Sequence, residues 1–73
     1  MTPKLTKAQL DELSLQKNIL LKEHPEQRDG QALFNALFVM NRALASEVVG
    51  ETAIDPFYDD LKINAFLTYI SEH

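Results

Sequence analysis

The chain has 73 residues, with seven Lys and Arg against eleven Asp and Glu, and a formal net charge of −4. Hydrophobic residues make up 45% and charged residues 25%, which is typical of a folded globular domain and excludes a disordered segment. The absence of cysteine excludes disulfides and thiolate metal sites. We expect one domain over residues 1–73, with residues 1–5 flexible and barely enough apolar area for one core.

The amino terminus and the hydropathy pattern indicate neither export nor a membrane span. Residues 1–6 lack the apolar stretch and the cleavage site of a signal peptide. The longest apolar runs, residues 19–21 and 37–40, are far shorter than the roughly 20 residues that a span requires. The seven basic residues are scattered, and the negative charge disfavours binding to nucleic acid. We expect a cytoplasmic protein with no membrane partner, for which nucleic acid is a disfavoured partner.

The first predicted helix covers residues 6–23. Thr6 and Gln9 fit a capping box, in which each side chain accepts from the other residue's backbone N–H. Pro25 disfavours helical geometry in the residue before it, so the helix should end there. Helix 1 therefore has sequence signals at both ends.

Helix 1 carries apolar residues on two nearly opposite faces, since each residue turns about 100°. One face consists of leucines: Leu10, Leu13, Leu20 and Leu21. The other consists of Ala8, Leu15 and Ile19. A helix packed on one side does not need the second face. Either another helix covers it, or it binds a partner protein or a second copy to form a homodimer.

The second predicted helix covers residues 26–40. Pro25 can open it, because the N–H that proline lacks would have no partner there. Gly30 weakens its early turn, so the firm helical part can begin nearer Gln31. Residues 32–40 are almost all apolar, which predicts a helix buried on most sides at the centre of the fold.

Two shorter helices are predicted after it, at residues 42–49 and 61–72. Asn41 can cap the third helix, although helices 2 and 3 could instead run on with a kink. Asp59 or Asp60 can cap the fourth. No segment alternates as a strand does. The sequence therefore predicts an all-α bundle of about four helices with helix 2 central.

No side-chain pattern points to catalysis or to a cofactor. His24 and His73 have no orienting neighbour, and two histidines at this spacing are too few for a zinc site. The serines lack the sequence context of a nucleophile. We therefore predict a protein that is not an enzyme and binds neither cofactor nor metal.

An acidic segment follows helix 3 and contains Glu51, Asp55, Asp59 and Asp60. Converging carboxylates can hold calcium or magnesium, but the ligand alternation and central glycine of an EF-hand are missing. Helix capping explains these residues more simply. The same carboxylates could also meet a basic patch on a partner.

Phe57 and Tyr58 lie beside these carboxylates. Phe57 is expected to fill the gap between helices 2 and 4, whereas Tyr58 suits the core edge and a protein interface equally, since its hydroxyl prefers a wet environment. The candidate interaction surface predicted from the sequence consists of five residues: Leu15, Ile19, Tyr58, Asp59 and Asp60.

Residues 28–70 resemble a pattern found in small uncharacterised helical proteins of bacteria, prophages and phages. The resemblance depends on the run from Gly30 to Leu37 and on the run from Asp55 to Asp60. Similar sequences often have a proline soon after the first run, where this chain has Asn41 and Arg42. The resemblance implies a small helical protein of bacterial or phage origin and carries no catalytic residue.

These observations predict a non-enzymatic protein–protein interaction module, an accessory protein of a phage or prophage that modulates a host protein. The alternative is a dimeric, DNA-associated transcriptional regulator. A helix-turn-helix reader needs basic or amide residues at the start of its recognition helix. Helix 4 offers only Lys62 and Asn64 behind two aspartates, which makes it a poor reader.

Overall fold

The computed structural model describes residues 4–49, 51, 54–57 and 59–71. They form four α-helices: α1 (Lys7–Glu23), α2 (Asp29–Met40), α3 (Arg42–Val48) and α4 (Ile63–Ile70). A 3₁₀ turn, Asp60–Lys62, leads directly into α4. The all-α prediction is confirmed, and α2 packs against α1, α3 and the 3₁₀ turn as the central helix.

The start of α1 is the predicted capping box. The backbone N–H of Gln9 donates to Thr6 Oγ1 at 3.3 Å, and the backbone N–H of Thr6 donates to Gln9 Oε1 at 2.9 Å. These two bonds satisfy backbone donors that have no partner inside the helix. The helix ends at Glu23, before Pro25, as the sequence predicts.

The predicted start of helix 2 at residue 26 is wrong by three residues. Residues 25–27 form a turn, closed by a 3.0 Å bond from the Gln27 N–H to the His24 carbonyl oxygen, and α2 begins at Asp29. Arg28 is the N-cap residue of α2, but its side chain makes no capping hydrogen bond. Instead the Gly30 N–H donates to Asp60 Oδ1 at 2.9 Å, so the cap comes from 30 residues further along the chain.

Gly30 does not weaken the first turn of α2 but allows a close contact there. Gly30 is buried, and a Cβ at this position would lie 2.2 Å from the Pro56 carbonyl oxygen. Such a distance is well inside van der Waals contact, so only glycine lets the segment around Pro56 approach the helix this closely. The contact fixes where the acidic segment crosses the start of α2.

Asn41 separates α2 from α3 with a single residue. Its backbone (φ −149°, ψ 85°) is not helical, and its Oδ1 accepts from the Leu44 N–H at 3.1 Å. The two helices are therefore distinct, and the predicted asparagine cap is confirmed. α3 ends at Val48, one residue before the predicted end.

The last helix is shorter than the predicted span of residues 61–72. Asp59 caps the 3₁₀ turn, since its Oδ1 accepts from the Leu61 N–H at 2.9 Å, and α4 ends at Ile70. Ser71 is extended and forms an isolated parallel β-bridge with Leu5. This pairing ends the helix, because Ser71 leaves helical geometry to run beside Leu5.

Leu5 is buried and hydrogen-bonded, whereas the sequence predicts a flexible segment over residues 1–5. Its side chain is 2% exposed, and its N–H donates to the Ile70 carbonyl oxygen at 2.7 Å. Residues 1–3 lie outside the described residues. The start and the end of the described chain are thus held side by side.

One core joins all four helices. Phe66 is fully buried, and its ring centroid lies 6.5 Å from that of Phe34. The leucine face of α1 contributes Leu13, which is fully buried, with Leu10 and Leu20 partly buried against the cluster. The remaining buried members of the cluster are Leu5, Leu33, Ala36, Leu37, Leu44, Ala45, Val48 and Ile70.

Candidate interaction surfaces

The polar residues considered for catalysis or metal binding do not converge in the part of the chain that the structure describes. His24 is half-exposed, and its Nδ1 lies 3.5 Å from Glu26 Oε1. His73 lies outside the described residues. Within the described ranges, no three His, Cys, Asp or Glu side chains lie close enough together to hold a metal ion.

The segment from Ile54 to Phe57 is folded against α2. Asp55 Oδ1 accepts from the Phe57 N–H at 2.9 Å, and the Phe57 carbonyl oxygen accepts from Arg28 Nη2 at 3.0 Å. The Phe57 ring meets that of Phe34 edge-to-face, with centroids 5.7 Å apart. This geometry is a favourable one for aromatic pairs. Phe57 therefore packs on the core, as the sequence predicts.

An open cleft lies where this segment meets the helices. It has a volume of about 200 Å³ and is walled by Phe34 of α2, Val49 at the end of α3, Asp55 and Phe57. Its walls are mostly apolar, and Val49 is 59% exposed. We call it the aromatic cleft. Local sequence patterns could not have revealed it, because its walls come from three separate segments.

α2 also carries exposed apolar side chains. Phe38 is 42% exposed and follows Phe34 by one helical turn, and the Arg42 guanidinium lies 5.2 Å from its ring centroid. Val39 is 77% exposed. The prediction that residues 32–40 are buried on most sides is therefore wrong at these two positions. The chain leaves helical geometry at Asn41, and the described residues leave the side of α2 that carries Phe38 and Val39 uncovered.

The second apolar face of α1 is exposed. Leu15 is 54% and Ile19 is 41% exposed, and the described parts of the other helices do not cover them. The exposed positions on this face run the length of the helix and define the outer stripe of α1: Ala8, Glu12, Leu15, Ile19 and Lys22. The sequence left open whether another helix covers this face, and in the structure the described residues leave it exposed.

The acidic residues of the sequence-predicted surface have contacts within the chain. Asp59 caps the 3₁₀ turn and Asp60 caps α2. Tyr58 lies outside the described residues. Asp59 and Asp60 thus lie at the turn that leads into α4, close in the chain to the segment that walls the aromatic cleft, whereas Leu15 and Ile19 lie on α1.

The cap that Asp60 supplies predicts a measurable loss of stability. Asp60→Ala leaves the Gly30 N–H without its acceptor in a partly buried position, and we expect it to lower the free energy of unfolding by about 1–2 kcal/mol. Asp60→Asn keeps an acceptor oxygen and should cost roughly half as much. Urea unfolding of both variants tests this. Equal stability of Asp60→Ala and the wild type would contradict the cap.

Comparisons with known proteins add no family to this description. No family model, curated protein or solved structure matches the chain. The described helices are each too short or too polar to cross a membrane.

Proposed function

We propose that this chain is a non-enzymatic protein-interaction module that binds a segment of another protein in the aromatic cleft. The observation that carries the proposal is the cleft itself, an open apolar depression with exposed Val49 as one of its walls. Partly exposed aromatic and aliphatic walls of this kind are typical of sites that receive an anchoring side chain.

The size of the cleft favours a side chain as its occupant. Its volume of about 200 Å³ is below the range of roughly 300–1,000 Å³ in which drug-sized ligands and cofactors bind. One apolar side chain projecting from a partner suits it better than a free metabolite. Phe34 and Phe57 line the cleft and would contact such an anchor.

The charge around the cleft favours a basic flank on the partner. Asp55 is part of the wall, exposed Glu51 and half-buried Asp59 are close in the chain, and the whole protein carries a net charge of −4. Complementary charges at the rim of an interface speed association and select among partners. We therefore propose an apolar anchor next to Lys or Arg.

The biological setting that we propose is that of a phage or prophage accessory protein acting on a host protein. The resemblance of residues 28–70 to small proteins of such origin supports this. A module of this size can act on a larger protein by occupying one of its surfaces.

A matched pair of serine substitutions tests the function. Val49→Ser removes an exposed cleft wall, whereas Leu61→Ser changes a residue that is 92% exposed and outside the cleft. Immobilised wild-type protein selects partners from extracts of its source cells, and calorimetry with the purified partner follows. We expect Val49→Ser to weaken binding at least tenfold, or by about 1.4 kcal/mol, and Leu61→Ser to leave it unchanged.

Three results would count against the proposal. They are the retention of no specific protein, equal binding by the Val49→Ser variant, and affinity that does not fall as salt rises, since rim charges are screened. A mobility shift with DNA at low salt would instead favour the regulator alternative.

A further inference from the structure

We propose that the outer stripe of α1 pairs with the same stripe of a second copy in an antiparallel helix pair. The occupant of this surface is thus another molecule of this chain. The stripe is separate from the aromatic cleft, so the proposal goes beyond the function above and either can fail without the other.

The spacing of the stripe suits a helix partner. Its members follow one another at intervals of four, three, four and three residues from Ala8 to Lys22, and all five are exposed. This alternation is the repeat by which two helices meet along a common seam. Leu15 and Ile19 occupy its middle with side chains 54% and 41% exposed.

The charges of the stripe are arranged symmetrically about that middle. Leu15 and Ile19 are equally far from residue 17, one on each side, and so are Glu12 and Lys22. In an antiparallel pair with its twofold axis at residue 17, Leu15 meets Ile19 of the other copy. Glu12 then meets Lys22 of the other copy, and the symmetry repeats both contacts.

The parallel arrangement lacks this complementarity. There Glu12 would face Glu12 and Lys22 would face Lys22, and like charges placed opposite each other oppose association. In the antiparallel pair the residues flanking the axis are Gln16 and Asn18, which are neutral. Charge therefore selects the antiparallel direction and its register.

The seam is short, which sets the strength of the pair. From Glu12 to Lys22 it extends about 15 Å, with two apolar layers between two layers of opposite charge. An interface this small belongs with weak, transient contacts. We therefore expect a dimer that forms reversibly as the protein concentration rises.

Sedimentation equilibrium of the full chain, up to roughly 1 mM, tests the pairing. The apparent mass should rise toward that of a dimer with concentration. The Leu15→Ser/Ile19→Ser variant should stay monomeric with an unchanged circular dichroism spectrum, because both residues are exposed. Leu61→Ser, at an exposed position outside α1, should associate as the wild type does. A wild-type chain that stays monomeric throughout overturns the proposal, as does a dimer that survives the double substitution.

Charge reversal tests the direction without touching the apolar residues. Glu12→Lys or Lys22→Glu alone puts like charges opposite each other in the antiparallel pair and should weaken association several-fold. The Glu12→Lys/Lys22→Glu variant restores opposite charges and should recover wild-type association. In a parallel pair each single reversal only exchanges one like pair for another. Single variants that associate as the wild type does would therefore refute the antiparallel register.

Cross-linking gives an independent measurement, since the chain has no natural cysteine. Asn18→Cys places the two thiols beside the axis, where a short bismaleimide should join them. Ala8→Cys is the control: in the antiparallel pair its two copies lie about 27 Å apart along the helices, so it should not cross-link. Cross-linking at Ala8→Cys but not at Asn18→Cys would overturn the proposal.

Discussion

Gly30→Ala is expected to lower the free energy of unfolding by about 2–3 kcal/mol, although alanine is the better helix former. The added Cβ would lie 2.2 Å from the Pro56 carbonyl oxygen and 2.8 Å from Asp60 Oδ1. The first of these atoms is backbone, so relief requires the segment around Pro56 to move away from α2. Such a movement would also strain the cap on the Gly30 N–H. Urea unfolding followed by circular dichroism measures the loss.

The sign of this effect decides between two explanations. If Gly30 were an ordinary glycine in an open first turn, alanine would stabilise the helix by up to about 1 kcal/mol. Gln31→Ala, at the next position of α2, serves as the control and should change stability by roughly 0.5 kcal/mol or less. A Gly30→Ala variant more stable than the wild type would contradict the close contact with Pro56.

Phe66→Ala is expected to cost about 3–5 kcal/mol, the largest loss that we predict for a single substitution. The ring is fully buried and packs near Phe34, so its removal leaves a cavity bordered by α2 and α4. A chain of 73 residues has a total stability of roughly 4–11 kcal/mol. The loss is therefore about a quarter or more of the total, and the variant should melt far below the wild type.

A milder substitution keeps this prediction measurable. Phe66→Leu retains most of the apolar volume and should cost about 1–2 kcal/mol, within reach of thermal unfolding. Leu61→Ala, on a side chain that is 92% exposed, should change stability by roughly 0.5 kcal/mol or less. Similar melting temperatures for the Phe66 and Leu61 variants would show that Phe66 is not central to the core.

The features that the sequence predicts correctly are local ones. The side chains of Thr6 and Asn41 each accept a hydrogen bond from the backbone N–H three residues further along the chain. The side chain of Asp59 accepts one from the N–H two residues further along. A cap depends on the backbone of the next turn, so a short window of sequence contains everything that determines it. The leucine face of α1 is predicted for the same reason, because one helical period defines it.

The sequence-based predictions are wrong where contacts between residues far apart in the chain determine the structure. α2 begins at Asp29 because Asp60 and Pro56, 26 or more residues away, hold the backbone at Gly30. Phe38 and Val39 are exposed because the described residues leave that side of α2 uncovered, which no local pattern encodes. The aromatic cleft depends on three such long-range placements at once.

The pairing of Leu5 with Ile70 and Ser71 has a consequence for how this domain can be joined to others. The described chain enters and leaves at the same edge, with strand-like residues running in parallel. A domain whose ends are neighbours can be inserted into a surface loop of another protein without stretching that loop apart. Joining the two ends through a short linker would likewise permit circular permutation, with new ends opened elsewhere on the surface.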